Sequence, residues 1–173
     1  MPRSAFIRGL ALAFLVGGGV AAGAAAAQSP LEADKAAVSA AMDSGTAALI
    51  SRDWAAYSRL WANSAEIEVI HPAAREWLVG WDTIATKYRR IIADTSFHYQ
   101  FTTLRRNVHI SPQRDMAWGT DESRIVITQG ARTTEVLQWS TFVFERARGQ
   151  WRLVHAHASV PPAPRPGARP PAP

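Results

Sequence analysis

The chain has 173 residues, 47% of them hydrophobic and 19% charged, with no cysteine. That composition allows one globular domain and excludes disulfide staples, Cys-ligated zinc, iron–sulfur clusters and thiol nucleophiles. Of the 19 Lys and Arg, four (Arg3, Arg8, Arg165 and Arg169) stand outside the foldable stretch 28–160, leaving 15 basic against 14 acidic residues there. A domain so close to neutral lacks the clustered basic surface of a nucleic-acid binder, and no nucleic-acid partner is expected.

Residues 1–27 carry Arg3 and Arg8, an apolar run from Gly9 to Val20, and Ala24 to Ala27 before Gln28. A basic region, a short apolar core and an A-x-A site make a secretory signal peptide, with cleavage near Ala27 and a periplasmic or secreted product. The apolar run falls short of the roughly 20 residues of a membrane helix, so no membrane partner is expected after cleavage. Extending it through the Ala/Gly segment gives the alternative of an uncleaved anchor.

Ser29-Pro30-Leu31-Glu32 is a capping box with Pro at the first helical position. Val38, Met42, Gly45 and Leu49 then recur at helical spacing, which predicts an amphipathic helix to about Ser51, with Gly45 allowing a close approach. Asp53 caps a second, shorter helix carrying Trp54, Tyr57 and Trp61 on one side. Glu66 to His71 alternates as a strand broken by Pro72, and Trp77 to Val79 is a second extended piece. Gly80-Trp81-Asp82 resets the chain for a third helix, with Asp82 as cap, Ile84, Tyr88 and Ile91 as the buried stripe, and Asp94-Thr95 as its end.

From there the period is two. Strands are predicted over 97–110, 116–128, 131–145 and 150–159, joined by turns at Ser111-Pro112, Gln129-Gly130 and Gly149. The apolar phase moves from Phe97, Tyr99 and Phe101 to Leu104, Val108 and Ile110, which predicts a bulge between Thr103 and Arg106 that bends the sheet. Residues 161–173 are Pro-rich and predict an extended, solvated tail. The order gives an α+β class: a cone-shaped α+β barrel with three N-terminal helices packed on a curved, mainly antiparallel sheet.

The run Gly149-Gln150-Trp151-Arg152-Leu153-Val154-His155-Ala156-His157-Ala158-Ser159 resembles the last strand of SnoaL-like domains of the nuclear transport factor 2-like superfamily, where Gly-x-Trp-x-Ile-Val-x-x-His-x-Ser is typical. Trp139 to Arg146 and Asp53-Trp54 to Trp61-Ala62 are similar to that group as well, so the resemblance covers 30–160. It implies the cone fold but not one activity, because the superfamily spans isomerases, dehydratases, cyclases, epoxide hydrolases and non-catalytic association domains. Its ketosteroid isomerases carry a carboxylate base before a Pro at the end of the first strand. Here that place holds His71-Pro72, a departure that speaks against a steroid isomerase.

Strict alternation along 150–159 puts Trp151, Leu153, His155, His157 and Ser159 on one face and Arg152, Val154, Ala156 and Ala158 on the other. With short turns, Trp139 and Thr141 lie opposite His157 and His155, and Trp118, Thr120 and Glu122 lie beside them, forming a face polar enough to line a ligand cavity. A one-residue slip exchanges Glu122 for Asp121. The expected catalytic set is His157, His155, His71 and Glu122, with His157 and the carboxylate as an acid–base dyad and His71 across the pocket. The competing reading gives His155 and His157 only hydrogen bonds within the sheet or at a dimer contact. His155-x-His157 with Glu122 or His71 could ligate a metal, but no second spaced ligand motif accompanies it, so neither metal nor cofactor is expected.

Tyr57, Trp61, Trp118 and Trp139 are the expected substrate-binding residues, with Tyr57 and Trp61 as a lid; the plainer reading of that pair is an anchor of helix to sheet. Arg124 and Glu135 read as a cross-strand ion pair, and His98 and His109 as surface positions. Two functions follow. One is an exported domain that binds a small hydrophobic carbonyl compound, with acid–base catalysis of the isomerase, dehydratase or cyclase type. The other is a non-catalytic homodimeric association module, since kinase association domains of the superfamily end in a similar His-x-His strand; Ser140, Phe142, Val154 and Ala156 would then be buried on the convex side. Both readings expect a homodimer, and the residues leave open whether the protein is an enzyme.

Overall fold

The computed structural model describes residues 28–71 and 76–161. The expected leader, Pro72 and the tail beyond Pro161 lie outside the described residues. The elements are α1 (Pro30–Ser51), α2 (Trp54–Leu60), β1 (Glu68–His71), β2 (Glu76–Val79), α3 (Trp81–Ala93), β3 (Phe97–Ile110), β4 (Met116–Gln129), β5 (Arg132–Ala147) and β6 (Gln150–Ser159). They form the expected α+β architecture: one six-stranded sheet in the order β2-β1-β6-β5-β4-β3, antiparallel except for the parallel pair β1–β6. No helix among the described residues is long and apolar enough to cross a membrane.

Local chemistry places the helices. The Ser29 hydroxyl accepts from the Glu32 amide at 3.3 Å, and the Asp53 carboxylate accepts from the Ala56 amide at 2.8 Å, each satisfying an orphan donor of the first turn. Glu32 does not complete the capping box; its carboxylate pairs with Lys35 at 2.9 Å. α3 differs from expectation in its cap. Its cap lies two residues earlier, on Gly80 at φ 82°, a conformation that favours glycine, so Asp82 falls in the first turn, where its charge suits the helix dipole.

The helices cover the inner face of the sheet. Val38, Met42 and Ala48 of α1 join Tyr57, Trp61, Ile67, Val69, Ile84, Ala117, Phe144 and Leu153 in the core. Gly119 lets α1 approach closely there, since a Cβ on it would make the end of the Met42 side chain shift. Charge then locks what apolar packing brings together. Arg106 of β3 makes a two-pronged pair with Asp121 of β4, both bonds 2.7 Å, and also donates to Asp43 at 2.7 Å and to the Ser39 carbonyl at 3.1 Å. A second clamp is centred on the buried Asp34, which accepts from Arg114 at 2.5 Å and from Arg146 at 2.8 Å. It ties the start of α1 to the β3–β4 turn and the end of β5, and the Arg114 hydrogen bond holds the Asp34 carboxyl below its ordinary range.

The expected bulge in β3 is present, with the register shifting between Thr103 and Arg105. A second shift, absent from strict alternation, lies between β5 and β6. Val143 pairs with His155 while its neighbour Phe144 pairs with Leu153, so Val154 is an extra residue on β6. Trp151 and Leu153 therefore face the core, whereas His155 and His157 turn to the outer face, which none of the described helices covers. Phe142, Val154 and Ala156, expected on a convex dimer surface, instead pack against the core, and Ser140 is buried.

Two outcomes follow. Asp34→Asn should cost about 2–3 kcal/mol at pH 7, the range for a hydrogen bond to a charged group left half-made. Because the folded-state pKa of Asp34 is depressed, that gap should be complete at neutral pH and close as the pH falls through the carboxylate range toward the lowered folded pKa; urea melts at several pH values measure it. Phe142→Glu should lower stability by at least about 3 kcal/mol rather than give a folded monomer, read from the same melts.

Candidate functional site

The outer face is laid out by register. One row across it runs Trp77, Ile70, His157, Thr141, Thr120 and Asn107; the next runs Val79, Glu68, His155, Val143, Trp118 and His109. Trp139 stands opposite Ser159 and beside Glu122. Trp77, Trp118 and Trp139 are 67%, 44% and 46% exposed, and the His109 ring stacks on Trp118 at 5.1 Å.

The expected dyad does not form. Glu122 shares the outer face with His157, but β5 separates their strands and Arg105 holds the Glu122 carboxylate at 3.1 Å. Asp121 points to the inner face, bound to Arg106. His155 has a carboxylate neighbour of its own, with Nδ1 3.8 Å from Glu68, a residue whose proximity only the parallel β1–β6 pairing reveals.

The four expected substrate-binding residues also separate. Trp118 and Trp139 lie outside. Tyr57 and Trp61 are 5% and 4% exposed on the inner side, where Tyr57 stacks on Tyr88 at 5.0 Å and Trp61 lies 6.4 Å from the same ring. Burial pushes the Tyr57 hydroxyl well above its ordinary range and raises that of Tyr88, so both phenols stay protonated. Trp54 stacks on Trp81 at 5.9 Å with Arg89 over its ring. This cluster anchors α2 and α3 to the sheet.

Two of the expected catalytic residues line one hollow. Where β1, β2 and β6 end, an open hollow of about 470 Å³ is lined by His71 and His157, with Glu76 and Ser159 as further polar groups and Ile70, Trp77, Ala158 and Val160 among its apolar wall. His71 reaches it from the inner face, as the residue after Ile70, and His157 from the outer face, opposite Ile70. Burial first, and then the Lys87 charge, hold the His71 imidazole below its ordinary pKa, which keeps it neutral and able to accept a proton at pH 7. Lys87 is itself bonded to Glu76 at 3.0 Å. Glu76 and Lys87 carry no motif; the β1–β2 hairpin and α3 bring them to the site. A second hollow, of about 430 Å³, lies on the outer face between Arg105, Glu122 and Trp139. No cluster of three or more His, Asp or Glu among the described residues could hold a metal ion.

A model of the SnoaL-like domain family matches residues 38–164. A candidate dehydratase of the nuclear transport factor 2-like family from Streptomyces avermitilis is 26% identical and superposes with a TM-score of 0.68 over 76% of this chain and 99% of its own. The association domain of C. elegans CaMKII, 21% identical, is alike in fold alone, with a TM-score of 0.61 over 75% of this chain and 97% of its own. F-box protein SKIP8 of Arabidopsis thaliana is 32% identical over 106 residues, which is 61% of this chain; the chain spans 41% of that protein. The matched stretch runs from the middle of α1 through β6 and takes in the Gly149–Ser159 strand, and the chain belongs to the SnoaL-like domain family.

Proposed function

We propose that this SnoaL-like domain is exported and binds a small hydrophobic carbonyl compound in the hollow at the ends of β1, β2 and β6, where His71 and His157 perform acid–base chemistry on it. The observation that carries this reading is that His71 and His157 both line one hollow with an apolar wall. A neutral His71 is suited to take a proton from carbon next to a carbonyl, and His157 to donate to the carbonyl oxygen, the division of labour that isomerisation, dehydration and cyclisation share. The likeness to a candidate dehydratase supports the same class.

A specific observation favours a second, compatible reading, a homodimer joined through the outer face. Exposed tryptophans on three strands of a sheet face that none of the described helices covers favour an interface, and a structural neighbour is an association domain.

Native mass spectrometry of the mature protein from the exported fraction, followed by denaturing release, tests the first reading. A small organic mass on each subunit is expected, and His71→Ala and His157→Ala should each lose it with the melting temperature within a few degrees of wild type; an empty wild-type protein would count against the reading. Once a substrate is known, each variant should slow turnover by about 10²–10⁴-fold. Because the His71 pKa is lowered, the acid limb of the wild-type rate profile should fall below about pH 6.5. For the second reading, Trp139→Glu should give a folded monomer by sedimentation; a dimer that survives it would move the interface elsewhere.

A further inference from the structure

Residues 161–173 carry the tetrapeptide Pro-Pro-Ala-Pro twice, at 161–164 and at 170–173, with Arg165, Gly167 and Arg169 between the two copies. Proline at i and i+3 falls on one edge of a polyproline II helix, because that helix has three residues per turn. It makes no hydrogen bonds of its own, so its carbonyls stay open to donors. A surface that suits it offers flat apolar rings for the prolines and N–H groups for the carbonyls, which is what exposed indoles supply.

The sheet presents such a surface where this segment begins. Val160, the residue before it, lines the hollow at the ends of β1, β2 and β6 together with Trp77. Trp77 is 67% exposed. It stands in the row of Ile70 and His157, three residues of strand back from Val160, or about 10 Å. Residues 162–173, extended at about 3.1 Å each, span about 37 Å. That length reaches Trp77 even after the chain reverses, and Gly167 is free to take the left-handed turn that the fixed proline ring forbids.

We propose that residues 162–173 dock on Trp77 and cover the hollow, so that this surface is built for the chain's own Pro-rich segment. Tethering favours that occupant over a free partner. A short linker holds the segment at an effective concentration in the millimolar range, so a contact with a Kd of about 1 mM is already about half-formed. Charge agrees: the segment carries Arg165 and Arg169 and no acid, while Glu76 lines the hollow and Glu68 faces outward one row from Trp77. Either guanidinium can also lie over an indole face. Docking stands without the ligand reading above; its consequence, that a carbonyl compound must displace the segment to reach His157, rests on that reading.

Heteronuclear NMR of the mature full chain tests the proposal through its seven tryptophan indole N–H signals, with Trp77 identified as the one lost in Trp77→Phe. In a full chain carrying Pro164→Ser, Pro166→Ser, Pro170→Ser and Pro171→Ser, the Trp77 signal should move while those of the buried Trp61 and Trp151 stay, which shows the fold intact. A synthetic peptide of residues 162–173, added at about 10 mM to that variant, should return the Trp77 signal toward its wild-type position. A Trp77 signal unmoved by the substitutions, or by the peptide, would overturn the docking. Acetophenone, as a carbonyl probe, should bind the variant at least about twofold more tightly than wild type, because a segment half-docked leaves half the sites competent. Equal binding to both would overturn the competition. No binding to either would remove the carbonyl reading and the competition together and leave the docking, which the indole signals report without any ligand.

Discussion

One extra residue in β6 governs how this molecule divides its chemistry. Val154 breaks the two-residue alternation, so the strand buries Trp151 and Leu153 under the helices and then turns His155 and His157 out to the opposite face. A sheet side chain cannot be redirected by a small rotation. Its face is set by the parity of its position, and only a bulge changes that parity within a strand. Without the bulge, two imidazoles would have to enter a core already filled by Phe144, Leu153 and the aromatic residues of α2. With it, the inner face stays apolar and the polar groups collect outside.

The inner face is held by two kinds of force in sequence. Apolar burial brings α1 onto β3 and β4, close enough that the end of Met42 rests on Gly119. The ion clusters around Arg106 and Asp34 then fix the angle and register of that contact, since each joins three separate segments of chain. Burying such charges is costly unless every partner is present, so these clusters act as geometric checks on the fold more than as sources of net stability. Arg106, on the edge strand β3, is engaged with Asp121, Asp43 and Ser39.

The candidate site lies at the edge of the sheet. The hollow at the ends of β1, β2 and β6 joins groups from both faces because strand ends are where faces meet. His71 is the last residue of β1, and His157 lies near the end of the neighbouring strand. The outer face presents tryptophan and histidine to solvent over neutralised charge. The two regions share His157.

Much of this architecture is legible from local signals. The caps at Ser29 and Asp53, the helical stripe of α1, the four long strands and the bulge in β3 are each written within a few residues, as is the family likeness of Gly149–Ser159. Local rules misplace what depends on parity and pairing: which face His155, His157, Phe142 and Ala156 occupy, the placing of Glu122 two strands away from His157, and the burial of Tyr57 and Trp61 on the far side of the sheet from Trp118 and Trp139. The β3 bulge shows itself because apolar residues stand on both sides of it and their phase visibly shifts. The β6 bulge does not, because Leu153 and Val154 are both apolar and the alternation of His with Ala beyond them satisfies either phase. Only the pairing with β5, and the helices that claim one face of the sheet, choose between those two phases, since that choice is made by the area each face can bury rather than by any residue in the strand itself.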